Sequence, residues 1–259
     1  PTPEYPNSFF SQDISLSDGG NRVEFRTDAD WWEEKTMVKV AFALAFTDSV
    51  ATYEIPYGTI TRSTGSEDRW AKAKVEVPAE RWADISHQGY GVSLLNTSKY
   101  GYDIKGRTMR LSLLRSPLWP DPTADRGKHS IEYALYPHSG DWRKAATVQR
   151  AIEYNNPLIA IKTGVHHGKL PASLSFIRLE PKDLVLATVK KAEDSDAWIV
   201  QWYDAAGTGA DAVLTLPKAP KGVVRSNVME EDGVAVPSSG ATVRMKTTPH
   251  GMVTLKIRF

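Results

Sequence analysis

The chain has 259 residues, of which 41% are hydrophobic and 24% are charged, so it has enough apolar side chains for a core and is not a disordered polypeptide. Its 32 Lys and Arg residues nearly balance 31 Asp and Glu residues, which gives a net charge of +1. Such a charge provides no field that would hold a polyanion, and we expect no nucleic-acid partner. The length is consistent with two domains.

The sequence contains no cysteine, which excludes disulfides, thiolate zinc sites and cysteine nucleophiles and favours a cytoplasmic location. No stretch reaches the roughly 18 apolar residues of a transmembrane helix, and residues 1–13 lack the basic start and apolar core of a signal peptide. The chain begins with Pro1 rather than Met. We therefore expect a processed product or an excised fragment with no membrane association.

Alternating polar and apolar residues dominate the first half. The alternation over Asp13–Ser17 stops at the turn-forming residues Asp18, Gly19 and Gly20 and resumes over Arg22–Arg26, which predicts a hairpin. Further strand-like runs, separated by Gly and Pro, cover 37–46, 49–55, 73–77, 91–95 and 109–114. Short strands at this spacing predict a sandwich or barrel rather than a parallel α/β sheet.

One segment departs from the alternation, because apolar residues recur at helical spacing from Trp142 to Ile152. This predicts a helix near 141–155, ended by Asn155, Asn156 and Pro157. A Gly-containing connector follows, and we place the domain boundary near Gly168, giving a first domain of 1–168. Strand patterns then return, so that 169–259 is predicted to form a small β-sandwich.

Two segments carry the candidate ligand-binding residues. The loop from Pro120 to Gly127 places Asp121, Asp125 and Arg126 between prolines and a glycine, which suits a rigid polar loop facing a ligand. The alternative is an Asx-turn with a surface ion pair. Tyr100 begins a turn on the β scaffold, where an exposed aromatic ring could stack on a sugar.

We expect no metal site in this sequence. His166 and His167 are adjacent, and neighbouring side chains on extended backbone point to opposite faces, so both do not easily bind one ion. The remaining histidines, His87, His129, His138 and His250, are isolated in the sequence and are interpreted as surface or hydrogen-bonded residues.

Several ordered blocks resemble the C-terminal region of family 38 glycoside hydrolases, the class II α-mannosidases, in the branch of yeast vacuolar and bacterial cytosolic enzymes. The blocks fall between about residues 10 and 160, and the resemblance is weaker beyond Ser173. They include Val23–Asp28, Ala51–Gly58, Gly89–Asn96, Ser98–Asp103, Leu113–Pro117, Asp125–Gly127 and Tyr136–Trp142.

This resemblance implies an all-β fold, with a large antiparallel supersandwich of the galactose-mutarotase type followed by a small β-sandwich. It implies retaining hydrolysis of terminal α-mannosides by a longer enzyme, with zinc or another divalent metal held by a catalytic barrel that this chain lacks. No catalytic residue or metal ligand is assigned here, and the isolated segment is predicted to be inactive. The implied partners are a mannose-containing oligosaccharide and the missing barrel, and a homo-oligomer is possible.

In distant members of the family the loop equivalent to 121–127 lies near the barrel mouth. The resemblance therefore implies that Arg126 hydrogen-bonds sugar hydroxyls, with Asp125 and Tyr100 as further substrate-binding candidates, while the inserted Pro-Asp-Pro weakens the case for Asp121. Two other hypotheses stay open: a stand-alone carbohydrate-binding or interaction module, and an epimerase in which His87 or His129 acts with a Glu.

Overall fold

The computed structural model describes residues 7–65 and 69–259, so the first six residues of the 1–13 segment lie outside it. The chain divides into two compact units, Pro1–Pro157 and Leu158–Phe259. The predicted boundary near Gly168 falls in the segment 158–177, which contains no helix or strand. Both helices in the described residues are too short and polar to cross a membrane.

The first unit consists mainly of antiparallel strands. In chain order its elements are β1 (Phe9–Ser15), β2 (Val23–Trp31), β3 (Met37–Ala43), β4 (Val50–Ile55), β5 (Gly58–Ser63), α1 (Arg69–Ala73), β6 (Val77–Pro78), β7 (Trp82–His87), β8 (Tyr90–Asn96), β9 (Gly101–Lys105), β10 (Thr108–Arg115), β11 (Gly127–Ser139) and α2 (Thr147–Asn155). They form a seven-stranded sheet in the order β1-β2-β11-β8-β7-β4-β5 and a four-stranded sheet in the order β3-β10-β9-β6.

The alternation in the sequence correctly predicted the first hairpin. Strands β1 and β2 pair antiparallel with Asp13 opposite Arg26, on either side of the turn that contains Gly19 and Gly20. The strand predicted for 73–77 is wrong, because the chain is helical through Ala73 and only Val77–Pro78 pairs, with β9. A run of alternating residues extends as a strand only where a neighbouring strand accepts its backbone hydrogen bonds.

The core of the first unit lies between its two sheets. Side chains that are buried by more than nine-tenths come from the seven-stranded sheet and from the four-stranded sheet alike, and they form one cluster. They include Trp31, Tyr53, Ile85, Leu94, Tyr133, Tyr102, Met109 and Leu111. Burial of these large side chains supplies most of the driving force for the unit, at roughly 1.5–3 kcal/mol for each aliphatic side chain.

Helix α2 covers part of the seven-stranded sheet. The predicted helical segment begins with a turn, and the regular helix starts at Thr147, after Ala146 in a left-handed conformation with φ of 54°. Trp142 is buried ahead of the helix, with its ring 5.2 Å from that of Trp82 in β7. The helix ends where the Asn156 N–H donates to the carbonyl of Ile152.

The second unit is a smaller sandwich. Its strands are β12 (Arg178–Glu180), β13 (Leu184–Lys191), β14 (Trp198–Asp204), β15 (Ala210–Thr215), β16 (Gly222–Ser226), β17 (Ser238–Ser239), β18 (Thr242–Thr247) and β19 (Met252–Arg258). They form two four-stranded sheets, ordered β12-β15-β18-β17 and β13-β14-β19-β16. Trp202 of one sheet and Leu214 of the other are fully buried in a common core.

We expect the first unit to lose stability at alkaline pH. Burial raises the pKa of Tyr53 from 10 to about 12, partly offset by the nearby Arg62, and burial also raises the pKa of Tyr102. A raised folded pKa gives stability that is present below pH 10 and is lost as the pH rises toward the folded value. The unfolding free energy should therefore fall by about 1 kcal/mol per pH unit between pH 10 and 12 for Tyr53 alone.

Urea unfolding at a series of pH values measures this loss. Tyr53→Phe should flatten the decline, and Tyr100→Phe, which changes an exposed ring, should not. Equal alkaline slopes for the wild type and the Tyr53→Phe variant would contradict the assignment.

Candidate functional site

The loop between β10 and β11 contains Asp121, Asp125 and Arg126 of the predicted ligand-binding residues, and its first half is an Asx-turn. The Asp121 carboxylate accepts hydrogen bonds from the Thr123 N–H at 2.8 Å and from the Thr123 hydroxyl at 2.7 Å. These two bonds lower the pKa of Asp121. The Asp121 carboxylate therefore forms its hydrogen bonds within the turn, as the Asx-turn interpretation predicts.

The second half of the loop is fixed by Asp125. This residue has a left-handed φ of 61°, and its carboxylate accepts the Arg115 backbone N–H at 2.7 Å. Its carbonyl lies 2.9 Å from the His129 Nε2. Gly127 follows with φ of 110°, a conformation open to glycine and not to other residues without strain. These constraints set the direction in which Arg126 leaves the backbone.

Arg126 pairs with Glu34 rather than with Asp125. Its Nη2 donates to the Glu34 carboxylate, and the Arg126 side chain is 30% exposed. The segment that carries Glu34 is joined to the loop, because the Lys35 N–H donates to the Ser116 carbonyl at 2.7 Å. Since a guanidinium has five N–H donors, a contact with one carboxylate leaves donors for a ligand.

Tyr100 lies beside this loop, and its side chain is 59% exposed. Burial lowers the pKa of its neighbour Lys99, and the negative charge of Asp125 partly opposes that shift, so the two charged groups are close. The Lys99 N–H is held by the Asn96 side chain at 2.6 Å. The structure therefore brings the turn of Tyr100 together with Asp125 at one end of β9 and β10.

The aromatic residues of the first unit divide into core and surface residues. Trp31 and Tyr102 are fully buried, whereas Trp32 is half exposed and Trp119, in the loop with Arg126, is 84% exposed. The Trp31 indole N–H donates to the Ser116 hydroxyl at 2.5 Å. Only the exposed rings are available for stacking on a sugar. The alternating pattern of the strand does not show which of the adjacent Trp31 and Trp32 faces the core.

A buried polar network joins β7, β8, β11 and α2, and it was not predicted from the sequence. The Asp84 carboxylate accepts the Ser93 hydroxyl at 2.8 Å and the Ser86 hydroxyl at 2.6 Å, and it lies 2.7 Å from the His138 Nε2. Ser93 also contacts the Thr147 hydroxyl at 2.9 Å. The Asp84 and His138 side chains are almost wholly buried.

This network has the composition of a serine hydrolase triad but not its geometry. In a triad the aspartate binds one imidazole nitrogen and the serine binds the other. Here Asp84 and Ser93 both contact the Nε2 of His138, at 2.7 and 3.2 Å, and its buried Nδ1 has no hydrogen-bond partner among the described residues. We interpret the network as a structural attachment of α2 to the sheet.

The two histidines of the epimerase hypothesis have other partners. His87 Nδ1 lies 3.0 Å from the Asp48 carboxylate, and its hydrogen bond lowers the pKa of Asp48. His129 Nε2 contacts the Asp125 carbonyl. Neither arrangement is the pair of a histidine with a glutamate that this chemistry needs.

Within residues 7–65 and 69–259, no three His, Asp or Glu side chains lie close enough to hold a metal ion together. A catalytic zinc site commonly uses three protein ligands. The donor set of the described chain therefore does not fit such a site.

Comparison with known proteins decides the family. Residues 2–123 match the model described as "Glycosyl hydrolases family 38 C-terminal domain". Residues 183–256 match "Glycosyl hydrolases family 38 C-terminal beta sandwich domain". The chain belongs to the family 38 glycosyl hydrolases, as part of their C-terminal region. The family resemblance carried by the sequence blocks is thus confirmed.

Curated relatives of this family 38 chain are longer proteins. Alpha-mannosidase 2C1 of Homo sapiens is 38% identical over 229 residues, which cover 87% of this chain and 22% of the relative. Alpha-mannosidase G of Dictyostelium discoideum is 33% identical over 236 residues, covering 87% of this chain and 21% of the relative. The chain thus spans about a fifth of the length of these two relatives.

A solved structure supports the fold. The crystal structure of an alpha-mannosidase from Enterococcus faecalis matches 96% of this chain and 29% of its own, with a TM-score of 0.81 at 18% sequence identity. With the family match for the terminal β-sandwich, this confirms the prediction of an all-β fold in which a large antiparallel supersandwich precedes a small sandwich.

Proposed function

We propose that this chain is the non-catalytic C-terminal β part of an α-mannosidase that hydrolyses terminal α-mannosides with retention. The observation that carries this proposal is the 38% identity, over 87% of the chain, to a protein named alpha-mannosidase 2C1. The substrate class that follows is a mannose-containing oligosaccharide. The cysteine-free sequence keeps a cytoplasmic location as the accompanying prediction.

The divalent metal of the reaction, zinc in our proposal, is held outside this chain. The described residues do not bring three suitable ligands together, whereas the relatives contain several times the length of this chain. When bound in the remainder of the enzyme, such an ion supplies Lewis-acid stabilisation of developing charge. No step of the reaction is assigned to metal ligands in this segment.

Arg126 is proposed to contribute to the wall of the active site. Its partly exposed guanidinium is held by Glu34 on one side, and the backbone on both sides of it is fixed by Asp125 and Gly127. A donor that is already oriented loses little conformational freedom when it binds a sugar hydroxyl. Asp125 acts in this proposal by positioning the loop, and the exposed ring of Tyr100 offers a stacking surface beside it.

The segment 158–176 is proposed to pack on the remainder of the enzyme. Seven large apolar side chains in it are at least half exposed, and no Asp or Glu occurs between them. They are Leu158, Ile159, Ile161, Val165, Leu170, Leu174 and Phe176. A monomer rarely exposes so continuous an apolar stretch, and the full-length relatives contain the additional chain that could cover it.

We expect the isolated chain to self-associate through this segment. Sedimentation velocity over a range of concentrations should show a shift toward larger species, because apolar groups left in water favour association. Replacing Ile159 and Val165 by Lys should reduce the shift. The same replacement by Lys at the exposed Val228 and Val234, which lie elsewhere in the second unit, should leave the shift unchanged. A monomer at all concentrations would contradict the proposal.

The isolated chain is also expected to have no turnover of an aryl α-mannoside and to retain no stoichiometric zinc. The full-length protein, assayed in parallel, should hydrolyse the substrate. Turnover by the isolated chain that copurifies with bound metal would refute the non-catalytic assignment. Binding of a mannose oligosaccharide by the isolated chain, lost in Trp119→Ala, would favour the stand-alone carbohydrate-binding module, for which the exposed Trp119 and Tyr100 are the supporting observation.

A further inference from the structure

A concave site distinct from the Arg126 loop lies in the first unit, between β5 and β9. This cleft has a volume of about 650 Å³ and is formed mainly by β5, by the end of α1 with the residues that follow it, and by β9. Its size is that of a small-molecule site, which typically encloses roughly 300–1,000 Å³. We refer to it as the β5–β9 cleft.

Arg62 on β5 is the central group of the β5–β9 cleft. Its guanidinium carbon lies 4.5 Å from the ring centre of Tyr53, and its Nη1 is buried with no hydrogen-bond acceptor among the described residues. Burial lowers the pKa of Arg62, which reflects the loss of water around the charge. A buried donor without a partner is costly, and it is relieved when a ligand supplies an acceptor.

The other charges of the cleft are mainly positive. Lys74 and Lys105 line it with exposed side chains, and neither forms an ion pair with a described residue. The lining carboxylate of Asp103 is bound to Arg110 at 2.8 Å. Arg62, Lys74 and Lys105 therefore face one cavity together with Lys72, and the lining carboxylate among the described residues, Asp103, is already paired with Arg110.

This arrangement favours a dianion over a monoanion, because a ligand with two negative charges balances this excess of lining cations better than a ligand with one. A planar guanidinium also matches the oxygen atoms of a phosphate group. The exposed side chains of Ile60 and Val75 provide an apolar wall of the same cleft. We infer that the β5–β9 cleft binds a phosphate monoester, with the phosphate at Arg62 and the organic group against Ile60 and Val75.

Calorimetric titration of the 259-residue chain at low ionic strength tests this inference. The probes are inorganic phosphate, glucose 6-phosphate, glucose and acetate. Saturable binding of glucose 6-phosphate, tighter than that of inorganic phosphate and acetate, would support the monoester. The inference would be overturned if inorganic phosphate binds as tightly as glucose 6-phosphate does. It would also be overturned if acetate or glucose binds as tightly as glucose 6-phosphate, or if no probe shows saturable binding.

Variants locate the binding. Arg62→Ala should weaken glucose 6-phosphate binding by about 10-fold or more, as expected for a lost charge-assisted hydrogen bond. Lys105→Ala, which changes an exposed side chain and should not alter folding, should weaken it by a few-fold. Arg178→Ala, outside the cleft and paired with Glu180, should have no effect. Unchanged affinity in Lys105→Ala and Arg62→Ala would refute the site.

Discussion

Replacing Arg126 by alanine in the full-length enzyme is expected to lower kcat/KM for an α-mannoside by about 10- to 150-fold. This range corresponds to the loss of one charge-assisted hydrogen bond in the transition state, which is worth roughly 1.5–3 kcal/mol. The isolated chain is not suitable for this test, because it is proposed to have no activity to lose.

The geometry also predicts which other quantities stay constant. The Arg126 guanidinium contacts Glu34 at the surface, and exposed ion pairs contribute only about 0–1 kcal/mol to stability. Arg126→Ala should therefore leave the melting temperature nearly unchanged while kcat/KM falls. Arg126→Lys keeps the charge but loses the planar set of donors, and it should recover part of the activity.

Two controls separate a substrate contact from a structural role. Glu34→Gln removes the carboxylate partner and should change kcat/KM less than Arg126→Ala does. Arg178→Ala removes an exposed ion pair in the second unit and should change neither quantity. If Arg126→Ala retains normal kcat/KM, the loop is a surface turn held by an ion pair, and the proposed active-site contact is refuted.

Replacing Asp84 by alanine should destabilise the first unit strongly, by about 3–5 kcal/mol, the usual cost of removing one member of a buried ionic or hydrogen-bonded pair. Asp84 contacts His138, Ser86 and Ser93 inside the protein. Alanine would leave the buried His138 and Ser93 and the partly buried Ser86 without their common partner.

Urea unfolding of the variant chain measures this loss. Asp28→Ala is the matched control, because Asp28 forms an exposed ion pair with Arg26 on β2 and should change stability by less than about 1 kcal/mol. Asp84→Asn, which keeps an acceptor oxygen, should be less damaging than Asp84→Ala. A loss below about 1 kcal/mol for Asp84→Ala would show that the network is not an attachment of α2.

Local features of this fold were predictable because they depend on residues that are close in the sequence. The alternation around Gly19 predicted the first hairpin since side chains on a strand point to opposite faces in turn. The spacing from Trp142 to Ile152 indicated a helix for the same kind of reason, although its first turn is irregular. The Asx-turn at Asp121 needs only the residue two positions later.

Features that depend on distant residues were decided by the tertiary structure alone. Asp84 and His138 are 54 positions apart and meet because β8 lies between β7 and β11. Arg126 finds Glu34, 92 positions away, rather than its neighbour Asp125. The sequence by itself determined the family, the β architecture and the loop that carries Arg126. The choice of partners came from strand order and register, which place side chains together over distances that local patterns do not encode.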